Sequence, residues 1–164
     1  MHSLFERLPP CPPDKRRAAA DHWLERVACV EEAGERAEII DAVLAVLEDA
    51  RFAELFGPDA LAEAPITAVV DGGVVTGTVD RLLISDAVVR VVDFKTTRLV
   101  PGSPDDVPEF HLKQMAAYAA ALHVIFPDRR VEAGLLYTAE PVLFTLPPDL
   151  LEAHKPRFGP TEQS

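Results

Sequence analysis

Two aspartates and a lysine are spaced in this sequence so that they could hold and use a divalent cation. Asp93 and Lys95 close an apolar run, Val91-Val92-Asp93-Phe94-Lys95. Side chains alternate along a β-strand, so Asp93 and Lys95 share one face and Phe94 takes the other. The preceding run, Gly77-Thr78-Val79-Asp80-Arg81-Leu82-Leu83, also reads as a strand, and Ser85-Asp86-Ala87 separates the two. A two- or four-residue hairpin loop centred on Asp86-Ala87 pairs residues equidistant from it, and Asp80 lies as far before that centre as Asp93 lies after it. The carboxylates then face each other with Cβ atoms about 4.5–5.5 Å apart, where like charges destabilise a sheet. Mg²⁺ or Mn²⁺ would remove that penalty, because hard oxygen ligands suit both ions. Lys95 beside them could stabilise charge developing on a phosphoryl centre, or help to activate water. An isolated Asp-x-Lys is more often a solvated strand end, and Asp80-Arg81 alone reads as a surface ion pair. The register is what separates the two readings.

Other residues join this set. Glu63 begins the strand before these two, where it is either a third carboxylate or an exposed edge residue. Gln114 and Tyr118 stand four apart in a helical stretch and share a face, so they could contact a phosphate or hold Lys95. His2 offers a neutral nitrogen ligand, or is a loose terminal residue.

The elements that must position these side chains follow from periodicity and punctuation. A short helix carries His2, Phe5 and Glu6, and the cluster Pro9-Pro10-Cys11-Pro12-Pro13 ends it. Helices are predicted over Arg17 to Glu32 and Glu35 to Asp49, with a helical turn from Ala50 to Phe56 that Gly57-Pro58 stops. Strands follow over Ala62 to Val70, Val74 to Ile84 and Val88 to Phe94, the first two joined at Asp71-Gly72-Gly73. A loop from Thr97 to Pro108 leads to a helix over Glu109 to Ile125. Strands over Val131 to Thr138 and Val142 to Leu146 come next, and the tail frays after Leu151. The expected fold is α/β, a mixed sheet flanked by helices. We expect one domain over 1–164, with a helical segment 1–57, an αβ core 58–155 and a tail 156–164.

The chain of 164 residues carries 27 acidic against 16 basic residues, a net charge of -11. Phosphate binding normally rests on a basic surface, so a freestanding tight nucleic-acid binder is disfavoured and something else should hold any such substrate. Cys11 and Cys29 are too few for a Cys-only zinc site. The N-terminus lacks the basic and apolar regions of a signal peptide, and no apolar run is as long as a membrane span. A cytoplasmic location and no membrane partner are expected.

Four motifs in order then acquire a meaning together: Ala62-Glu63-Ala64-Pro65-Ile66, Gly77-Thr78-Val79-Asp80-Arg81-Leu82, Val92-Asp93-Phe94-Lys95-Thr96 and Gln114-Met115-Ala116-Ala117-Tyr118. With them the chain resembles the RecB-like nuclease domains of the PD-(D/E)XK superfamily. It looks most like the C-terminal nuclease domain of the AddA helicase–nuclease subunit of bacterial double-strand break repair. His2-Ser3-Leu4-Phe5-Glu6-Arg7-Leu8-Pro9 and Leu135-Leu136-Tyr137-Thr138-Ala139-Glu140-Pro141 fit the same picture.

The resemblance implies a restriction-endonuclease-like core and a Mg²⁺- or Mn²⁺-dependent deoxyribonuclease, acting on single strands as an exonuclease. It implies that His2, Asp80, Asp93 and the backbone carbonyl of Phe94 bind metal, with Glu63 a further candidate. It makes Lys95 the catalytic lysine and places Gln114 and Tyr118 in the helix motif behind it. The partners implied are single-stranded DNA or DNA ends, an AddB-like subunit and the helicase domains of a parent protein, in a bacterial cytoplasm. ATP would enter only through the helicase portion, since no Gly-Lys-Ser/Thr phosphate-binding motif occurs here. This chain is then expected to be a fragment, an excised domain or a degraded relative. Two further departures stand out. His2 directly follows Met1 and is expected to be weakly held, and His111 occupies a position where the family often has Tyr. An interaction module that keeps the fold but not the catalysis, docking a partner through acidic helices, is the alternative.

Overall fold

The computed structural model describes residues 1–158. In chain order it forms α1 (His2–Arg7), α2 (Pro13–Arg26), α3 (Ala33–Leu47), a 3₁₀ helix (Ala50–Phe56), β1 (Ala60–Val70), β2 (Gly73–Ile84) and β3 (Val88–Lys95). A 3₁₀ turn (Pro104–Asp106), α4 (Glu109–Ile125), β4 (Arg130–Tyr137), β5 (Val142–Thr145) and α5 (Pro148–Ala153) follow. The strands make one sheet in the order β1-β2-β3-β4-β5. All neighbours are antiparallel except β3 and β4, which run parallel. A parallel pair needs a long crossover, and α4 supplies it. The α/β architecture is the expected one.

Both hairpin registers come from their turns. Asp71 and Gly72 have φ of 47° and 84° between the paired residues Val70 and Gly73, so this two-residue turn needs two left-handed residues. The Ser85 N–H donates to the Val88 carbonyl at 2.9 Å, and Ser85 Oγ accepts from the Val88 N–H at 3.1 Å. Asp86-Ala87 is therefore a two-residue loop, and the pairs Ile84–Val89 back to Arg81–Val92 follow the register expected from sequence.

Two cores lie on opposite faces of the sheet. Val75, Val79, Val89, Val91 and Leu135 pack with Leu112, Met115 and Ala119 of α4. Val92, Phe94 and Leu136 pack with Leu4, Phe5, Leu24, Val43 and Phe52 of the N-terminal segment. A six-residue helix such as α1 is not stable alone. Burial holds it: Leu4 and Phe5 are wholly buried and Leu8 nearly so. Each such side chain contributes roughly 1.5–3 kcal/mol as an upper bound.

Some boundaries differ from expectation. The second helix starts at Pro13 rather than Arg17, because a proline in the first turn forgoes no helical hydrogen bond. It stops at Arg26 rather than Glu32: Val27 is exposed, and Cys29 adopts φ 54°. Asp49 does not end α3 but caps the 3₁₀ helix, accepting the Arg51 N–H. Helix continues past Leu151, to Ala153. Pro148 opens α5, whose Leu150 and Leu151 pack on the α4-side core. The last residues of the tail, 159–164, lie outside the described residues.

Gly77 is required by close approach. A Cβ there would lie 2.7 Å from Tyr118 Cε1 and 2.8 Å from its hydroxyl. Gly77→Ala is expected to displace the Tyr118 ring and destabilise the protein by about 1–3 kcal/mol, the usual cost of overpacking. Denaturant midpoints measure it, and an unchanged midpoint would refute the close packing.

Candidate active site

The site forms where the sheet ceases to be regular. Val79, Asp80, Arg81 and Leu82 are four consecutive buried residues of β2. Val79 and Leu82 both belong to the core on the α4 face, although a regular pleat would put residues three apart on opposite faces. The phase of the pleat thus changes between them. The β2–β3 pairing runs to Arg81–Val92 and stops one pair short of Asp80 and Asp93. On the other side the β1–β2 pairing includes Ala62–Arg81 and Ala64–Val79 but skips Glu63 and Asp80. Glu63 has a left-handed backbone, φ 48°, at that step.

The Asp80 side chain takes over where the ladder lapses. Its Oδ2 accepts the Phe94 N–H at 2.5 Å, satisfying a backbone donor that the strand pairing leaves. Its Oδ1 lies 3.2 Å from His2 Nδ1. That contact raises the His2 pKa above the ordinary histidine value, against the opposing effect of burial. His2, expected to be weakly held, is in fact placed on Asp80 by the packing of α1.

Asp93 is 6% exposed and Asp80 8%. Burial pushes the Asp93 carboxyl above the usual aspartate range, and the negative charge of Asp80 adds to this. The bond to Lys95 opposes both. Lys95 Nζ sits 2.7 Å from Asp93 Oδ2 and donates to Gln114 Oε1 at 2.9 Å. Gln114 Nε2 donates to the Tyr118 hydroxyl at 3.3 Å, which donates to the Thr78 carbonyl at 3.4 Å. A chain of polar contacts thus runs from β3 through one face of α4 to β2. An ammonium has three donors. Two are taken, by Asp93 and Gln114, and the third has no protein partner among the described residues.

A folded-state pKa raised above the unfolded value means that stability from Asp93 is fully present below the unfolded pKa and is lost as pH rises through the folded one. The metal-free protein is therefore expected to lose stability as pH rises from the ordinary aspartate value of 3.8 through the folded pKa. Glu63 is shifted upward too, by partial desolvation and by Asp80 and Glu6, but it is exposed, so solvent screening leaves it a minor part of the change. Asp93→Asn should flatten this slope. Unfolding midpoints against pH in chelator test it, and parallel profiles for the two proteins would refute it.

The structure brings together His2, Asp80, Asp93, Lys95, Gln114 and Tyr118. Glu63 stands beside them on β1, but its side chain is exposed and has no hydrogen bond or ion pair among the described residues. Arg81 disposes of the alternative reading of Asp80-Arg81. It is no surface ion pair with Asp80, but a buried guanidinium, 3% exposed, bonded to backbone carbonyls. Polarity alone gave no signal of this. His111 is buried, its Nδ1 has no partner among the described residues, and burial with the nearby Lys95 pushes its pKa down to about 4. It is a neutral imidazole at neutral pH, one turn before Gln114.

The profile of the PD-(D/E)XK nuclease superfamily matches residues 1–152. The chain belongs to the PD-(D/E)XK nuclease superfamily. Among solved structures, a candidate exonuclease from Eubacterium rectale superimposes with a TM-score of 0.60 at 10% identity, over 86% of this chain and 58% of that one. At such identity the likeness is one of fold, and this chain spans little more than half of that protein's length. SSO0001 aligns at a TM-score of 0.42 and 16% identity, over 87% of this chain and 66% of its own, a likeness too weak to use. No curated protein matches the chain.

Members of a PD-(D/E)XK nuclease superfamily raise the question of a metal. Among the described residues no three His, Cys, Asp or Glu side chains are grouped to hold one as they stand. The reason is visible: Asp93 is drawn onto Lys95, and Asp80 onto Phe94 and His2. The donor chemistry nevertheless fits a hard divalent cation. His2 lies on Asp80, and Asp80 is near enough for its charge to add to the burial that holds the Asp93 carboxyl up, a penalty that a cation relieves. No helix of the described residues is long and apolar enough to cross a membrane.

Proposed function

We propose that this PD-(D/E)XK nuclease is a divalent-metal-dependent deoxyribonuclease that hydrolyses phosphodiesters in single-stranded DNA. Asp80, Asp93, His2 and the Phe94 carbonyl would hold Mg²⁺ or Mn²⁺, with Glu63 a further candidate. When bound, such a cation supplies charge neutralisation at the phosphate and a lowered pKa for water. Lys95, fixed by Gln114, offers its remaining donor to the nucleophile or to the developing negative charge. Tyr118 holds Gln114 in turn. The observation that carries this reading is the pair of buried carboxylates beside a lysine tied down by Gln114.

The resemblance to AddA supports a narrower role. In it, the chain is the exonuclease portion of a double-strand-break-repair helicase–nuclease working with an AddB-like subunit. The net charge of -11 accords with that role, because a motor that delivers the strand removes the need for tight binding. The second reading, a catalytically silent module, draws on the closed Asp93–Lys95 pair and the absence of a ready three-donor group among the described residues.

Calorimetric titration of Mn²⁺ paired with a single-stranded DNA cleavage assay separates the two. The nuclease reading expects binding and weak cleavage. No binding at millimolar Mn²⁺ favours the silent module, and rapid sequence-specific cutting of duplex would contradict both.

A further inference from the structure

We propose that Arg81 is a positioning residue that seats α1, and with it His2, against the carboxylates; its bearing on metal binding rests on the function proposed above. Three elements converge on one guanidinium. Nη2 donates to the Phe5 carbonyl of α1, Nε to the Leu55 carbonyl of the 3₁₀ helix at 2.8 Å, and Nη1 to the Asp80 carbonyl of β2 at 2.8 Å. Its Cζ lies 5.3 Å from the centre of the Phe56 ring and 5.5 Å from that of Phe94. Arg81 takes part in no ion pair among the described residues, so it is a buried cation satisfied by carbonyls and ring faces.

A buried charge is a costly way to fill a core, and an apolar side chain of similar volume often serves stability as well. What the guanidinium adds is direction. Its donors form a rigid fork that can reach several acceptors at once, whereas an ammonium acts as a point charge. The Phe5 carbonyl lies in the last turn of α1 and has no partner within that helix, so Arg81 supplies the one it lacks. Phe5 is one turn from His2 and meets Phe94 edge-on with ring centres 4.9 Å apart. Fixing Phe5 against β3 therefore fixes the helix start where His2 Nδ1 reaches Asp80. Because the same guanidinium holds the Asp80 carbonyl, His2 and its acceptor are set in one frame.

The test has a metal-free arm and a metal arm. In hydrogen exchange without metal, Arg81→Met is expected to speed exchange in the His2–Leu8 segment at least about tenfold while α4 keeps wild-type protection. Acceleration of equal size throughout, or an unaffected His2–Leu8 segment, overturns the proposal. In calorimetry with Mn²⁺, Arg81→Met is expected to weaken binding by about 10–100-fold, the range for groups that orient metal ligands, and His2→Ala, which removes a proposed ligand, by at least as much. The double variant should bind no more weakly than His2→Ala alone, because Arg81 acts through His2. Additive losses overturn the proposal. Should the wild type bind no Mn²⁺, the metal-binding reading fails, and the exchange arm still decides the positioning role. Where Arg81→Met does not fold, Arg81→Lys takes its place. It keeps the charge without the fork and is expected to show the same selective loss in smaller degree; wild-type protection of α1 in Arg81→Lys overturns the proposal.

Discussion

Lys95→Ala is expected to lower the rate of single-stranded DNA cleavage by about 10²–10³-fold, the usual effect of removing one preorganised donor from a developing anion. The side chain has no other role that would explain so large a loss. It is held at 2.9 Å by Gln114 and at 2.7 Å by Asp93, and is nearly buried between them. Its removal leaves Asp93 buried without its counter-charge, which should cost about 3–5 kcal/mol of stability. A domain of ordinary stability survives that loss. Circular dichroism should therefore show a folded protein, and calorimetry should still show Mn²⁺ binding, since the oxygen ligands remain. Cleavage within about tenfold of wild type at saturating Mn²⁺ would remove Lys95 from the chemistry and return the site to the silent-module reading. Gln114→Ala is the milder companion, because it frees the ammonium without deleting it.

Asp80→Asn is expected to abolish Mn²⁺ binding over the accessible range and cleavage with it. The loss should exceed the roughly 10–100-fold typical of changing a group outside the ligand set. Asparagine keeps an oxygen that can accept the Phe94 N–H, so the lapse in the β2–β3 ladder stays bridged and stability should be near that of the wild type. Asp80→Ala removes that acceptor too. It strands a buried backbone donor at a cost of about 1–3 kcal/mol, offset in part by relief of the repulsion that Asp93 feels from Asp80. The contrast between the two variants separates the structural duty of this carboxylate from its charge. Unimpaired Mn²⁺ affinity in Asp80→Asn would show that the cation, if bound at all, is held elsewhere.

The local geometry of this site is legible in residue order. The turn over Asp86-Ala87 is so short that little freedom remains in the register, and counting outward from it brings Asp80 level with Asp93. Strand alternation placed Asp93 and Lys95 together, and helical spacing placed Gln114 and Tyr118 together. Both are local properties of the backbone, which is why they could be read from residue order. The α4 boundaries, Glu109–Ile125, were legible for the same reason.

What residue order could not show is where local rules yield to contacts between distant segments. The ladder lapses at Asp80 on both sides, and Glu63 turns left-handed there, so facing carboxylates became one bridging carboxylate and one drawn to Lys95. A helix too short to stand alone is carried to Asp80 by Leu4, Phe5 and Leu8, so His2 belongs to the site through burial some eighty residues away in sequence. Arg81 looked like solvent-facing charge beside Asp80. Only the approach of the Phe5 and Leu55 carbonyls and the Phe56 and Phe94 rings makes an interior position tolerable for it. Residue order is enough to say which side chains could do chemistry and how neighbours along one strand or helix align, because those follow from backbone periods. The tertiary structure alone decided which of them meet and which charges are buried, because burial and partners are properties of packed segments and not of any single one.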